Sequence, residues 1–371
     1  MNPSMPDAAH VHWRLDHRWS SVSDRAALSL CRETLHEAGI DFLDALPQCS
    51  PDAVKMHGME MVDAVAAGYP LIADVTEIAH AQQWAQRLPA FVRCFMASPS
   101  GWHGIPLGIH RANMAWVNKA VAQRIDGVPP SDFFGLVAWL HQAAKQVPLP
   151  LAVGGEPWQI GVLFESLTLA VAGPDFYHRA LVQWEPQALS SPEMVRVLDS
   201  MLVLREFVDG DLLTLGWADQ LARVQRAEAA IQVMGDWVQA SHSQDILPWA
   251  VPGTDRYFVS VVDFFVPLKQ SAAGVTSAVA KALTQADFQR AFAATKGCMP
   301  ALHEVWESVD MQRASLLGDP TQVLPSLTFD QSCSVVHQGL VLKMVADHFI
   351  HRKSSRVCSQ SLADLKEKRT A

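Results

Sequence analysis

Short apolar runs typical of β-strands alternate with helical segments along most of this 371-residue chain. Residues 229–234 ("AAIQVM") and 257–268 ("YFVSVVDFFVPL") have the composition of strands, whereas residues 50–68 have a helical pattern. At the start of that pattern, Ser50 and Pro51 are typical of a helix N-cap and the first helical residue. Strand–helix alternation of this kind predicts an α/β fold with mainly parallel sheets.

The composition argues against several classes of protein. Apolar residues make up 49% of the chain, and the net charge is −9, so we expect a sizeable core and no nucleic-acid partner. The six cysteines form no C-x-x-C pair, which favours reduced thiols. Residues 1–15 contain no apolar signal-peptide segment, and no apolar run is long enough for membrane insertion. The sequence as it stands predicts a cytoplasmic protein, or a periplasmic one if the N-terminus has been trimmed.

Motif searches identify neither a catalytic centre nor a cofactor site. The chain lacks the patterns G-x-G-x-x-G, G-x-x-x-x-G-K-S/T, G-x-S-x-G and H-E-x-x-H. No acidic pair is placed by a catalytic motif either. We therefore expect a protein that is not an enzyme and that has no cofactor and no metal.

Two tryptophan–acid pairs are more informative. They occur in "GGEPWQ" at 154–159 and in "MGDWV" at 234–238. A flat indole ring can cover the C–H face of a sugar, while a neighbouring carboxylate accepts hydrogen bonds from the sugar hydroxyl groups. The alternative is a core tryptophan at a strand-to-helix junction, with the acid as an N-cap.

Six segments, in order along the chain, resemble the glucose/mannose-type solute-binding proteins of bacterial ABC sugar importers (extracellular solute-binding protein family 1). These segments are 109–121, 154–182, 188–209, 227–238, 251–266 and 288–300. The resemblance extends over roughly residues 10–368 and is most specific over 105–300. It implies an α/β, periplasmic-binding-protein-like fold of type II, in which two discontinuous lobes close on a sugar.

The resemblance also implies where the lobes begin and end. The N-terminal lobe would consist of residues 1–117 plus 262–302, and the C-terminal lobe of 118–261 plus 303–371. We expect a monomer that binds a sugar or sugar-like ligand and works with an ABC permease. The alternative is a cytosolic sensor or regulatory protein of the same fold that binds another small molecule or a protein partner.

The resemblance implies a ligand set in which the two tryptophans form the walls. Trp237 would be a stacking platform, Trp158 a second wall, and Glu156 a hydrogen-bond acceptor beside it. The complete set of expected ligand-binding residues is Trp13, Asp24, His110, Glu156, Trp158, Asp236, Trp237, Asp263 and Lys296.

Several positions depart from the family pattern. The family pattern has a glycine-rich turn and a glutamate after its first strand. Here Trp13 of that strand is kept, the glycine-rich turn is missing, and Asp24 stands for the glutamate. An Asn-x-Asp motif has become Val261-Val262-Asp263. A Pro-Ser-Leu-x-His segment reads "PSLTF", which places Phe329 where a histidine is expected. These changes remove hydrogen-bond partners and predict weak binding of glucose.

Overall fold

The computed structural model of this chain describes residues 11–67, 71–241, 244–329 and 331–367. The chain forms two compact units, of which unit 1 is Met1–Ile109 with Val262–Ala314, and unit 2 is His110–Val261 with Ser315–Ala371. The chain therefore passes from one unit to the other after residues 109, 261 and 314. Within the described residues, no helix is both long enough and apolar enough to cross a membrane.

The strands are short except for β11. In the described residues they are β1 (Val11–Asp16), β2 (Ile40–Asp44), β3 (Ala53–Met56), β4 (Ala97–Ser98), β5 (Gly101–Trp102), β6 (Ile105–Arg111), β7 (Met114–Asn118), β8 (Leu149–Ala152), β9 (Ala229–Val233), β10 (Ile246–Ala250), β11 (Phe258–Pro267), β12 (Met299–Pro300) and β13 (Val323–Pro325). The two strands expected from the patterns at 229–234 and 257–268 are confirmed as β9 and β11.

Helices connect most of these strands. In the described residues they are α1 (Val22–Glu37), α2 (Gly58–Ala66), α3 (Thr76–Ala81), α4 (Trp84–Arg87), α5 (Ala90–Met96), α6 (Lys119–Ile125), α7 (Phe133–Ala143), α8 (Pro157–Tyr177), α9 (Pro186–Leu189), α10 (Pro192–Arg205), α11 (Trp217–Gln225), α12 (Ala273–Leu283), α13 (Ala286–Lys296), α14 (Trp306–Val309), α15 (Met311–Gly318), α16 (Val335–His351) and α17 (Ser355–Glu367).

The sheet of unit 1 has the strand order β12-β6-β11-β3-β1-β2. Strand β1 is parallel to β2 and β3, whereas β11 is antiparallel to β3 and β12 is antiparallel to β6. The first residues of β11 belong to unit 2, where they pair with β13 in parallel. The centre of this core contains the rings of Trp13, Phe42 and Phe265, with centroids 5.7 to 6.2 Å apart.

Unit 2 contains a smaller sheet with the order β10-β7-β9-β8. Strand β7 is antiparallel to both β9 and β10, and β8 is parallel to β9. Helices α8, α10 and α16 pack together beside this sheet and supply much of the apolar core of the unit. The strands of both sheets therefore run in mixed directions.

The expectation of mainly parallel sheets is wrong for a topological reason. Strands β7 and β11 lie at or just beyond the points where the chain passes between units. They do not follow a helix that returns the chain to the same sheet edge, which is the connection that makes neighbouring strands parallel. Their direction is therefore antiparallel to β9 and β3, respectively.

The predicted helix start at Ser50 is also wrong. Residues 53–56 form strand β3, and the helix begins only at Gly58. The pairing of β3 with β1 on one side and with β11 on the other outweighs the local capping signal of Ser50 and Pro51.

Two unit boundaries differ from the expected ones: they follow residues 109 and 314 instead of 117 and 302, whereas the boundary after residue 261 is at the expected position. Strand β7 belongs to unit 2 because it pairs with β9 and β10. Residues beyond 302 remain with unit 1 because the Trp306 indole N–H donates to the Pro300 carbonyl, at 2.8 Å. The Arg313 guanidinium likewise donates to the carbonyl of Gly297, at 3.0 Å.

Candidate functional site

Trp237 stands at the end of a buried strand in unit 2. Strand β9 is fully buried, and a 3-10 turn over Asp236–Ser241 follows Gly235 directly. A Cβ atom at Gly235 would lie 2.0 Å from the indole ring of Trp237. The ring therefore lies against the glycine backbone, a close approach that only glycine permits at this position. Trp237 remains partly exposed, as expected from the sequence.

Asp236 supports this turn from within. Its carboxylate is 1% exposed and accepts hydrogen bonds from His110 Nδ1, at 2.6 Å, and from the backbone N–H of Arg111, at 2.9 Å. The His110 ring in turn contacts Trp237 edge-on, with centroids 5.8 Å apart. Both His110 and Asp236 were expected to contact the ligand, but the structure places them behind Trp237 as a buried pair.

Trp158 is oriented by the carboxylate of the N-cap residue of helix α8, Glu156. The indole N–H donates to Glu156 Oε2 at 2.8 Å, and the Gln159 amide donates to the same oxygen at 2.7 Å. Glu156 itself is exposed, and Trp158 is partly exposed. Glu156 therefore lies beside Trp158, where its Oε2 atom accepts from two side chains of the protein.

Phe329 connects the two tryptophans. Its ring centroid lies 5.9 Å from that of Trp158 and 5.0 Å from that of Trp237. The edge-to-face contact with Trp237, at 71°, is a favourable arrangement for aromatic rings. We call Trp158, Trp237 and Phe329 the ring cluster; all three side chains are partly exposed.

Unit 1 contains a second group of polar candidates around Asp263. The carboxylate of Asp263 is 3% exposed and lies 3.0 Å from Lys55 Nζ and 3.3 Å from His57 Nε2. A buried carboxylate of this kind requires such partners, because its desolvation is otherwise costly. Lys55 belongs to β3, and His57 is the N-cap of α2.

Lys296 and Asp24 form an ion pair in the same unit. Lys296 is the last residue of α13 and is 3% exposed; its ammonium contacts Asp24 and lies 4.3 Å from the centroid of the Trp19 ring. Asp24 also completes the capping box of α1 with Ser21. Burial opposes ionisation of Asp24, but Lys296 and the hydrogen bonds from Ser21 outweigh it, so the pKa of Asp24 is lowered.

Trp13 lies in the core of unit 1. Its side chain is completely buried, and its rings contact Phe42 and Phe265. A ring without exposed surface offers no face to a sugar. We therefore leave Trp13 out of the candidate site, although the sequence placed it there.

Three side chains that sequence reasoning missed lie beside the expected ones. Lys55 and His57 were overlooked because residues 50–68 were interpreted as one helix, which hides the strand that brings them to Asp263. Trp19 had no distinguishing sequence signal. In the described part of the chain, no three His, Cys, Asp or Glu side chains come together as a metal site would require.

Truncation of Trp237 should cost less stability than truncation of Trp116, its neighbour on β7. Trp116 is fully buried, and its indole N–H contacts the carbonyls of Met234 and Gly235. We expect Trp116→Ala to lower the free energy of unfolding by about 3–5 kcal/mol, and Trp237→Ala by about 1–2 kcal/mol. Urea denaturation measures both. Equal losses would mean that Trp237 is a packing residue.

The Asp24–Lys296 pair should make stability depend on acid pH. Because the folded-state pKa of Asp24 is below its ordinary value, its contribution is present above about pH 4 and is lost as the pH falls through the folded pKa. Between pH 5 and pH 3 the Asp24→Asn variant should therefore lose less stability than the wild type. Asp287→Asn, at a fully exposed side chain, is the matched control and should follow the wild-type curve. Parallel curves for wild type and Asp24→Asn would contradict this.

Comparison with known proteins identifies clear relatives. The chain is 31% identical over 325 residues to a probable sugar-binding periplasmic protein of Mesorhizobium japonicum, covering 80% of this chain and 76% of the relative. It is 29% identical over 323 residues to a probable sugar-binding periplasmic protein of Brucella suis, covering 80% and 75%. No family model matches the chain.

Solved structures share the fold at low sequence identity. The bacterial solute receptor AcbH, described as having an exclusive preference for β-D-galactopyranose, superposes with a TM-score of 0.82 at 15% identity, covering 97% of this chain and 99% of the receptor. The maltose-bound MalE3 of T. maritima superposes with a TM-score of 0.76 at 14% identity, covering 96% and 100%. The fold is therefore the α/β periplasmic-binding-protein fold of type II. The chain belongs to the sugar-binding periplasmic proteins of ABC transporters, a family of receptors and not of enzymes.

Proposed function

We propose that this chain is the periplasmic receptor that delivers a sugar to an ABC permease. The ring cluster carries this proposal, because two partly exposed tryptophans and a phenylalanine lie beside the exposed carboxylate of Glu156. Indole faces cover the apolar C–H surfaces of a pyranose, and the carboxylate accepts hydrogen bonds from its hydroxyl groups. The relatives are named as periplasmic sugar-binding proteins, which gives no support to the alternative of a cytosolic sensor.

The polar candidates of unit 1 extend the proposed ligand set. These candidates form two groups, and in each group opposite charges are paired. One group is Asp263 with Lys55 and His57, and the other is Lys296 with Asp24. Charged groups form stronger hydrogen bonds than neutral ones, so a sugar hydroxyl that bonds to these groups while the ion pairs stay intact would be held firmly. We propose both groups as hydrogen-bonding partners of the ligand, and we expect the receptor to be a monomer.

A sugar screen tests the proposed function. We expect at least one of D-galactose, D-glucose, D-mannose, maltose and raffinose to raise the melting temperature, since a ligand of the native state stabilises it by mass action. Trp237→Ala and Trp158→Ala should each raise the dissociation constant of that sugar by roughly tenfold to a hundredfold, as measured by calorimetry. Phe134→Ala, at an exposed ring on α7, is the control and should bind as the wild type does. A panel without any thermal shift would contradict the proposal.

Glucose is expected to be a poor ligand, although the sequence resembles glucose/mannose-type receptors. Val261 and Phe329 stand where that family pattern has an amide and an imidazole; Val261 is buried in the core of unit 2, and Phe329 is partly exposed in the ring cluster. Loss of two hydrogen-bond partners at about 1–1.5 kcal/mol each weakens binding by on the order of a hundredfold. Phe329→His should recover part of this loss, about tenfold. A sub-micromolar dissociation constant for glucose in the wild type would overturn the expectation.

A further inference from the structure

A completely buried carboxyl group lies on the helix that begins beside the ring cluster. Glu165 lies two helical turns after Trp158 on α8. Its neighbours along the helix are also buried, and most of them are apolar. Burial of a carboxyl group in such surroundings is costly unless hydrogen bonds compensate for the lost water. An apolar residue of similar size would fill the same space without this cost. Glu165 therefore needs an explanation beyond simple packing.

Three donors from one short segment bind the Glu165 carboxyl group. Its carboxylate accepts from the Ser326 hydroxyl at 2.9 Å, from the Leu327 N–H at 2.8 Å and from the Thr328 N–H at 3.2 Å. Three consecutive residues are thus turned toward one carboxyl group. The Tyr177 hydroxyl, from the end of the same helix, donates to the carbonyl of Pro325 at 2.9 Å. Residues 325–328 are therefore held by α8 at every residue.

The helix surface is shaped to accept this segment. Gly161 lies one turn before Glu165, and a Cβ atom there would be 2.9 Å from Thr328 Oγ1 and 2.5 Å from a methyl group of Leu342. Any larger residue at this position would require the side chains of Thr328 and Leu342 to move. Burial raises the pKa of Glu165 to about 7, and the hydrogen bonds from Thr328, Ser326 and Leu327 act against this rise. The segment thus supplies the partners that keep the buried carboxyl group compatible with the fold.

The next residue after this segment is Phe329, the member of the ring cluster that contacts both tryptophans. Glu165 binds the backbone N–H of Thr328, the residue directly before Phe329. We propose that Glu165 is a positioning residue for the sugar site: by fixing the backbone of residues 326–328, it sets the place of the Phe329 ring between Trp158 and Trp237. This inference rests on the proposed function for its consequence in binding, but its structural step concerns the ligand-free protein.

The structural step is tested without a ligand. Glu165→Met keeps the approximate size of the side chain but removes both acceptor oxygens, including Oε2, which accepts both backbone N–H groups. We expect amide hydrogen exchange at residues 327 and 328 to become at least tenfold faster. The matched control is Thr168→Val, on the same helix, where a buried hydroxyl that donates to the Phe164 carbonyl is removed. Unchanged exchange in Glu165→Met, or the same acceleration in Thr168→Val, would overturn the inference.

The connection to the rings is tested by near-UV circular dichroism. Phe329→Leu should change the tryptophan band, and Glu165→Met should change it in the same sense. The double variant should show no further change beyond Phe329→Leu, because Glu165 acts on the rings through residue 329. Additive changes would overturn the inference. If Glu165→Met does not fold, Ser326→Ala removes one donor to the Glu165 carboxyl group and should show a smaller effect of the same sign.

The binding arm uses D-galactose, D-glucose and D-mannose as probes in calorimetry. For any probe that binds the wild type, Glu165→Met and Phe329→Leu should each raise the dissociation constant by about tenfold, and the double variant should match Phe329→Leu alone. Multiplied effects in the double variant would overturn the positioning role. If no sugar binds the wild type, the proposed function fails, while exchange and circular dichroism still decide whether Glu165 positions Phe329.

Discussion

The buried hydrogen bonds of Asp236 are the constraint on which the candidate site of unit 2 depends. This carboxylate follows β9 and binds His110 and Arg111 at the end of β6. The Arg111 guanidinium then donates to the carbonyls of Asp255 and Tyr257, at 3.1 and 2.6 Å. Three separate parts of the chain are thus fixed to one another by polar groups that have little contact with water. Buried networks of this kind are rigid because every broken bond leaves an unsatisfied group.

Two buried carboxyl groups hold the ring cluster from different sides. Asp236 fixes the turn that carries Trp237, and Glu165 fixes the segment that carries Phe329. The rings themselves need only partial burial, because their orientation is determined by the backbone that precedes them. A site built in this way presents flat apolar faces that lose little conformational freedom when a ligand binds. In the proposed sugar site, rigidity of this support would contribute to affinity because less order has to be imposed on binding.

The sequence predicts the fold and the two tryptophans but assigns several polar residues the wrong environment. Trp237 and Trp158 stand out in the sequence because a glycine and an acid beside a tryptophan form a local pattern, and both side chains are partly exposed in the structure. His110 and Asp236 form a pair across 126 positions, and no local pattern shows that both are buried. Lys55 and His57 cannot be identified from the sequence for a related reason. Strand β3 is stabilised by its pairing with β1 and β11, which are distant in sequence, whereas the local residues Ser50 and Pro51 indicate a helix.

The acids around the ring cluster differ in how far they are available to a ligand. Asp236 engages His110 and Arg111 with its two oxygens, and Glu165 is enclosed by the segment 326–328. Glu156 differs from both because it is exposed beside Trp158, with Oε2 engaged by the Trp158 indole and the Gln159 amide. An exposed carboxylate next to aromatic faces suits a hydroxyl group of a sugar, whereas the two buried acids are suited to holding the backbone that carries the rings.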